Sequence, residues 1–411
     1  MSDQKILGLG FIGLGQAVAR MFQQYPQGSR NWPYKVVAAA EPREEARVQF
    51  GKDFDGHAYS TPEDMCRDPQ VDVVYVATPP EMHRAHVEIA ARHGKHVIVE
   101  KPMALSLEDC QAMIECCERH QVKLLAGHTH SFDAPIRKIR EIVTSGELGK
   151  LVMINSWNYN DFNARPWPTA ELAASFGPIL NQGPHHVDIA RQIAGGMVRT
   201  VRAQKFWDGM RNVVGGYNCF LEFENGVSSN LVYDGRSFFD TSELFWWVSE
   251  AGAFREPDSN LMMIRNFRKH GHLTPSEREA ELERQKDQGR YGAGEIDPET
   301  WKLWGYDPPE DVVNQPFFGL TIVSFEKGAI RQTKHGLLIY GEDGKREISL
   351  QDEMRGRAAE LMDLYHGVVH GKPIFHDGNW GMATLEVCLA MIDSAEQRRE
   401  LVMSRQVPMP N

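Results

Sequence analysis

Paired cysteines are the first thing this chain lacks. Its six cysteines (Cys66, Cys110, Cys116, Cys117, Cys219 and Cys388) form no CxxC pair and no metal-finger spacing, which argues against a disulfide framework or zinc module and for reduced thiols in a cytoplasm. Basic tracts are missing too. Lys and Arg number 45 against 56 Asp and Glu, a net charge of −11, so nucleic acid and anionic membrane surfaces are excluded as partners. No run approaches the ~20 apolar residues of a membrane helix. The apolar stretch from Ile6 to Val18 follows a leader with a single Lys, and its glycines fall on a nucleotide-loop spacing, so it is not read as a secretory signal. With 411 residues the chain is too long for one ordinary core.

From Lys5 to about Leu125, short apolar runs alternate with amphipathic helical stretches, the pattern of a parallel sheet wrapped by helices. Strands are predicted at 5–12, 35–40, 71–77, 96–99 and 122–126, with a short helix at 64–66 and a long one opened by a capping box from Ser106 to Asp109. After Gly127 a helix at 134–145 precedes β-rich runs at 150–160, 198–207, 216–224, 226–234, 243–249, 317–325 and 336–341, joined by turns such as Glu224-Asn225-Gly226. Residues 255–315 are charged and weakly periodic, an insertion with one amphipathic helix at 275–288, and helices at 353–370 and 380–398 close the chain. The expectation is an α/β Rossmann domain at 1–126 followed by an α+β domain at 127–411 with a large, mostly antiparallel open sheet.

The glycine-rich segment Gly10-Phe11-Ile12-Gly13-Leu14-Gly15-Gln16 allows two registers, Gly8-x-Gly10-x-x-Gly13 and Gly13-x-Gly15-x-x-Val18. The second gives a normal strand and a helix beginning near Gln16, and it is preferred. Small residues there let backbone N–H groups approach a pyrophosphate at the helix N-terminus. Glu41 ends the second strand and could accept from both ribose hydroxyls, while Arg43 could embrace a 2′-phosphate. NAD is therefore expected, with NADP not excluded. Thr78, Pro79 and His83 form a rigid turn over the sheet's carboxyl edge, where ribose and nicotinamide would lie.

The run Val-Ile-Val-Glu100-Lys101-Pro102 sets an ammonium beside that edge. Downstream, Asn181-Gln-Gly183-Pro-His185-His186-Val-Asp188 supplies a His with a free pKa near neutrality, able to take a hydroxyl proton as hydride leaves. Lys101 could hold the same oxygen, and a nicotinamide cation nearby would depress its pKa. These two motifs in this order resemble the glucose-fructose oxidoreductase, inositol dehydrogenase and MocA (Gfo/Idh/MocA) family. The resemblance implies that Lys101 and His185 bind and deprotonate the reacting hydroxyl. The family's usual Asp is here Asn181, so proton movement by a carboxylate at that position is in question.

Three further stretches, Gly127-His128-Thr-His130-Ser-Phe-Asp133, Val323 to Arg331 and His376 to Cys388, resemble the phthalate 4,5-cis-dihydrodiol dehydrogenases within that family. This implies oxidation of a carboxylated ring diol to a catechol; alternatives are a sugar or cyclitol dehydrogenase, an NAD-dependent glycosidase that oxidises the sugar ring transiently, or a non-catalytic regulator. Arg165, with Arg137 or Arg236, could meet the carboxylates, and His128, His186 and Trp167 are the further candidates for substrate contact. His128 and His130 lack a carboxylate partner in sequence and are not read as metal ligands. The family resemblance also implies a homo-oligomer, dimer or tetramer, and the run Leu244-Phe-Trp-Trp247-Val248 could be buried on both faces by a partner or a helix.

Overall fold

The computed structural model describes residues 5–24, 32–294, 314–351, 353–354 and 356–410. Its first sheet has six strands in the order β3-β2-β1-β4-β5-β6, all parallel: β1 (Leu7–Ile12), β2 (Tyr34–Ala40), β3 (His57–Tyr59), β4 (Val73–Val76), β5 (His96–Glu100) and β6 (Leu124–Gly127). Every residue of β1 and β4 is buried, as expected of central strands with helices on both faces. The crossovers are α1 (Gln16–Gln24), α2 (Glu44–Phe54), α3 (Pro62–Cys66), α4 (His83–Arg92) and α5 (Leu107–Arg119). Ser106 caps α5 by accepting from Asp109 N at 3.1 Å; the reciprocal contact runs from its hydroxyl to the Asp109 carboxylate rather than from its backbone.

Gly8 and Gly10 both lie inside β1. A Cβ on Gly8 would sit 1.7 Å from the Gln70 carbonyl oxygen, so glycine there is demanded by packing between strand and loop. The helix starts at Gln16, which is the register preferred from the sequence.

The second sheet has nine strands in the order β14-β13-β12-β11-β7-β10-β9-β8-β15. These are β7 (Leu151–Tyr159), β8 (Val198–Asp208), β9 (Val213–Phe223), β10 (Ser228–Asp234), β11 (Leu320–Phe325), β12 (Gly328–Thr333), β13 (Gly336–Gly341), β14 (Gly344–Ser349) and β15 (Leu401–Val402). All its pairs are antiparallel except β7 with β10. Burial alternates along β10 and β11, the mark of a sheet covered on one face. Among the described residues this half carries the helices α6 (Ala134–Ser145), α7 (Thr169–Ala174), α8 (Pro178–Asn181), α9 (Gly183–Ala194) and, in the insertion, α10 (Ser259–Lys269). Three follow, α11 (Pro275–Gln288), α12 (Gly356–Val369) and α13 (Gly378–Gln397). α9 is buried all round and α13 nearly so, as befits helices sandwiched between layers. α12 instead returns to the first sheet, where Leu361, Leu364 and Tyr365 join Leu7, Leu9 and Phe11 in one apolar cluster.

The strand expected at 243–249 is absent. Asp240 accepts from Ser242 N at 2.9 Å and opens a tight turn over Thr241–Phe245, and Trp246 and Trp247 follow with φ of 62° and 56°. A side chain that captures its own backbone competes with extended pairing, and Phe245 is buried by stacking on Phe317 at 4.3 Å. Strands β3, β12, β14 and β15 were not anticipated. Within the insertion, α11 falls where expected, while α10 was missed and residues 295–313 lie outside the described residues.

Candidate active site

The nucleotide loop follows β1 directly. Gly13 has a φ of +89°, and its Cβ would lie 3.0 Å from the Ala77 carbonyl oxygen, so only glycine fits the turn against the β4 end. A Cβ on Gly15 would meet nothing within 4 Å, the open approach a pyrophosphate needs at the N-terminus of α1. Phe11 and Ile12 are buried strand residues behind this loop. Glu41 sits beneath it: Oε2 accepts from Leu14 N at 2.8 Å, and Oε1 accepts from Arg43 N at 3.2 Å and Arg43 Nε at 2.9 Å. Burial pushes this carboxyl up, but the hydrogen bonds from Arg43 and Leu14 outweigh it, and Glu41 ends below its usual range. Arg43 also donates to the carbonyls of Leu14 at 2.8 Å and Tyr291 at 3.1 Å. These residues fit a dinucleotide: a carboxylate just past the end of β2, and a loop whose Gly15 leaves the approach to the N-terminus of α1 free of side chain.

The turn after β4 is held from behind. Thr78 Oγ1 meets His86 Nδ1 at 3.0 Å, and Pro79 precedes a short 3₁₀ turn. His83 is fully buried, with Nε2 2.8 Å from the Thr78 carbonyl and Nδ1 3.1 Å from that of Pro102. It ties the β4 turn to the Lys101-Pro102 turn and has no free ring atom for a cofactor, contrary to the role given it from sequence.

Lys101 follows the last residue of β5 and reaches across to the second half of the chain. Its Nζ donates to the Asn181 carbonyl at 2.9 Å and to Asn181 Oδ1 at 3.4 Å. Gln182 Nε2 donates to the same Oδ1 at 2.8 Å. Glu100 points the opposite way, taking Arg357 at 2.6 Å and the Tyr75 hydroxyl at 3.0 Å. Burial raises the Glu100 carboxyl, yet Arg357 and Lys101 hold it below its usual range as a buried anion. Glu360 lies behind, bonded to Thr129 Oγ1 at 3.0 Å. Arg357, Tyr75 and Glu360 were not found from the sequence, which carries no local motif around them.

His185 stands at the start of α9, two residues past its first position. Its ring meets His130 edge-on at 4.7 Å and Phe318 at 5.1 Å between centroids. Its Nδ1 is buried with no hydrogen-bond partner. Burial, then the charges of Lys101, His130, His128 and Arg357, hold it well below the usual histidine range. These surroundings favour the neutral imidazole, whose lone pair can take a proton only transiently.

Its neighbours divide differently from the sequence expectation. His186 is fully buried, with Nδ1 3.0 Å from the Tyr217 hydroxyl and Nε2 2.8 Å from Ser156 Oγ, and burial pushes it down to about 3. It braces α9 on the second sheet and is no substrate ligand. His128 is 1 % exposed and pushed by burial to about 4, so it too belongs to the core. His128, Asp188 and His376 approach one another as metal ligands would, but Asp188 already takes four donors: Ser131 Oγ, His376 Nε2 at 2.6 Å, Trp380 Nε1 at 2.5 Å and Thr384 Oγ1 at 3.0 Å. Its lone pairs are spent on protein, and the cluster is a structural anchor.

The arginines are also largely spoken for. Arg137 donates to the carbonyls of Phe132 at 3.0 Å and Met354 at 2.8 Å, and Arg236 pairs with Asp208 at 3.2 Å; neither is a ready substrate cation. Arg165 gives its Nε to Asp161 at 3.0 Å. The loop carrying Arg165 and Trp167 is pinned by buried Arg211, which donates to the carbonyls of Asn163 at 2.8 Å, Arg165 at 2.9 Å and Trp167. The insertion packs over both this loop and the nucleotide edge. Met263, Ile264, Phe267 and Leu282 cluster with Ala164, Lys286 pairs with Glu171, and Gln16 Nε2 donates to the Lys286 carbonyl at 3.2 Å.

Comparison with known proteins agrees with this geometry. Residues 6–128 match the model of an oxidoreductase family with an NAD-binding Rossmann fold, and residues 136–248 match the GFO/IDH/MocA C-terminal domain. The chain is 34% identical over 395 residues, 94% of each protein, to 1-carboxy-3-chloro-3,4-dihydroxycyclohexa-1,5-diene dehydrogenase of Comamonas testosteroni. A crystal structure assigned to a dehydrogenase of Bordetella bronchiseptica RB50 superimposes with a TM-score of 0.78 at 31% identity, covering 97% of this chain and 100% of that one. An oxidoreductase from Agrobacterium radiobacter, solved with NAD+, L-tartaric acid and magnesium, shares the fold at a TM-score of 0.68 and 18% identity, covering 96% of this chain and 98% of that one. A parallel nucleotide-binding sheet, a Glu-Lys-Pro turn facing a buried His, and whole-length similarity converge, and the chain belongs to the Gfo/Idh/MocA family of NAD(P)-dependent oxidoreductases.

Proposed function

We propose that the enzyme oxidises one hydroxyl of a carboxylated cis-dihydrodiol ring, with NAD as hydride acceptor, to give a catechol. The observation that supports this most is the pairing of Lys101, docked on Asn181, with the buried neutral imidazole of His185. Bound nicotinamide would supply the hydride acceptor. The Lys101 ammonium donates to the reacting oxygen, and His185 accepts the hydroxyl proton as C–H electrons leave. The balance is diol plus NAD+ to hydroxydienone plus NADH and one proton, and enolisation of the ketone completes the aromatic ring. The name of the Comamonas relative, a carboxylated ring bearing two hydroxyls, supports the substrate class.

NAD is favoured over NADP because Arg43 is already committed to Glu41, Leu14 and Tyr291 and Glu41 presents its charge at the ribose position. The substrate carboxylate would be met by Arg165 and Arg357; Arg357 lies against Glu100, next to Lys101, and its side chain is 23% exposed. Partially exposed Trp157 and Phe220 on the uncovered face of the second sheet favour a homo-oligomer through that face. No helix of the described residues is long and apolar enough to cross a membrane, and all six cysteines are free and buried, in keeping with a cytoplasmic setting.

The test is purified protein with excess NAD against carboxylated and plain ring diols, cyclitols, sugars and aryl glycosides, with product analysed in the same wells. One NADH per catechol, fastest with a carboxylated dihydrodiol, is expected. Preference for a cyclitol or sugar overturns the substrate class, and glycoside cleavage without net NADH overturns the reaction.

A further inference from the structure

His185 must pass on the proton it accepts, and Asn181 offers it no carboxylate. We propose that His130, oriented by Asp133, takes that proton from His185 and delivers it to solvent, so that Asp133 does the work a carboxylate at position 181 cannot. The inference rests on the reading of His185 as the base of the dehydrogenase.

Three observations carry it. His130 Nδ1 lies 3.0 Å from Asp133 Oδ2, and a carboxylate there fixes the tautomer with the proton on Nδ1, leaving the Nε2 lone pair as the basic end. The two imidazoles touch edge-on at 4.7 Å between centroids, with Phe318 packed on both. Third, the chain leads toward solvent: His185 is buried, whereas 14% of the His130 side chain is open to solvent.

The surroundings make the handoff necessary. Facing His185 are Lys101 from the β5 end, His128 and His130 from the turn after β6, and Arg357 from the start of α12, and with burial they disfavour a lasting imidazolium. Asp133 faces His130, Arg137 and the Gly356 N–H; it is itself buried, which pushes its carboxyl above the usual range in spite of those partners. The proton moves from the substrate O–H to His185, from His185 to His130 Nε2, and from His130 to water, with no further reactant. His130 is thus a proton carrier and Asp133 a positioning residue.

The test uses full-length His130→Gln and Asp133→Asn with NAD and whichever ring in the panel wild type oxidises, so that failure of dihydrodiol oxidation leaves the path measurable on a cyclitol or sugar. Expected for His130→Gln is a fall in kcat of ~10–100-fold with KM little changed, an increased solvent isotope effect, and recovery on adding imidazole, with NAD binding and Tm kept. Asp133→Asn should show a smaller fall and a displaced pH profile. Wild-type kcat, isotope effect and pH profile in His130→Gln would overturn the proposal. So would a loss of activity that appears in KM and is not recovered by imidazole, since His130 would then only shape the pocket.

Discussion

Replacing Glu41 by Gln isolates the residue on which cofactor choice is argued to turn. Both carboxylate oxygens are occupied by donors, Leu14 N at 2.8 Å on one and Arg43 Nε at 2.9 Å on the other. Gln can accept through only one of its two polar atoms, so its amide nitrogen must confront either the Leu14 N–H or the Arg43 guanidinium. The guanidinium, being the more mobile group, is released. For the cofactor, a unit of 2′-phosphate charge about 4 Å from the native carboxylate is repelled by about 4 kcal/mol at an effective dielectric near 20. That is about three decades at 1.36 kcal/mol per decade. The neighbouring Arg43 offsets part of it, so Glu41→Gln should swing the ratio of kcat/KM for NAD to that for NADP by about 100-fold toward NADP. The assay is initial-rate absorbance of the reduced nicotinamide with each cofactor at one ionic strength, with Tm of both proteins as a folding control. A ratio within about threefold of wild type in a folded variant would refute the assignment of Glu41 to the ribose.

Lys101→Met removes the ammonium from the reacting oxygen and should lower kcat by ~100-fold or more; it also removes a positive charge facing His185, whose pKa is held down by burial and then by Lys101, so the acid limb of the kcat/KM profile should move to higher pH. Adjacent histidines should separate cleanly: His185→Asn abolishes turnover while leaving Tm near wild type, whereas His186→Phe strands the Tyr217 hydroxyl and leaves Ser156 Oγ with Thr321 Oγ1, and should lower Tm, as loss of ~1–3 kcal/mol for an unsatisfied group would. Burial and the nearby Glu100 push the Glu360 carboxyl up to about 7 despite Arg357. The folded chain therefore binds more protons than the unfolded chain from about pH 4.5 to 7, and this group's stabilisation, complete below that window, is lost as pH rises through it. Thermal melts should accordingly show Glu360→Gln raising Tm at about pH 8 and leaving it nearly unchanged at about pH 4.

What was legible in the sequence were features in which backbone and chemistry come from one short segment. The turn at Gly13 and Gly15, the carboxylate ending β2 and the Lys at the end of β5 are each set by a strand ending at a sheet edge, so their mutual placement follows once the parallel sheet is recognised. The histidines show where such reasoning stops. His185 and His186 are consecutive on α9, about 100° apart around the helix axis, and chemistry alone does not say which faces the cleft. Partners decide it: Phe318 and His130 receive one ring, Ser156 and Tyr217 the other. The arginines fail for the same reason. Arg236, in the turn after β10, is answered by Asp208 at the end of β8, and Arg137 by the Met354 carbonyl just before α12, contacts whose sequence separation leaves no local trace. Asn181 is the instructive middle case. Its departure from the family's Asp was visible and left the movement of the proton at that position in question. In the structure its carbonyl and side-chain oxygen seat the Lys101 ammonium without the negative charge that would bind that ammonium as an ion pair and compete with the substrate oxygen. On the proposed mechanism the neutral residue keeps Lys101 oriented toward the substrate oxygen, and the proton on His185 then has to be answered elsewhere in the cleft.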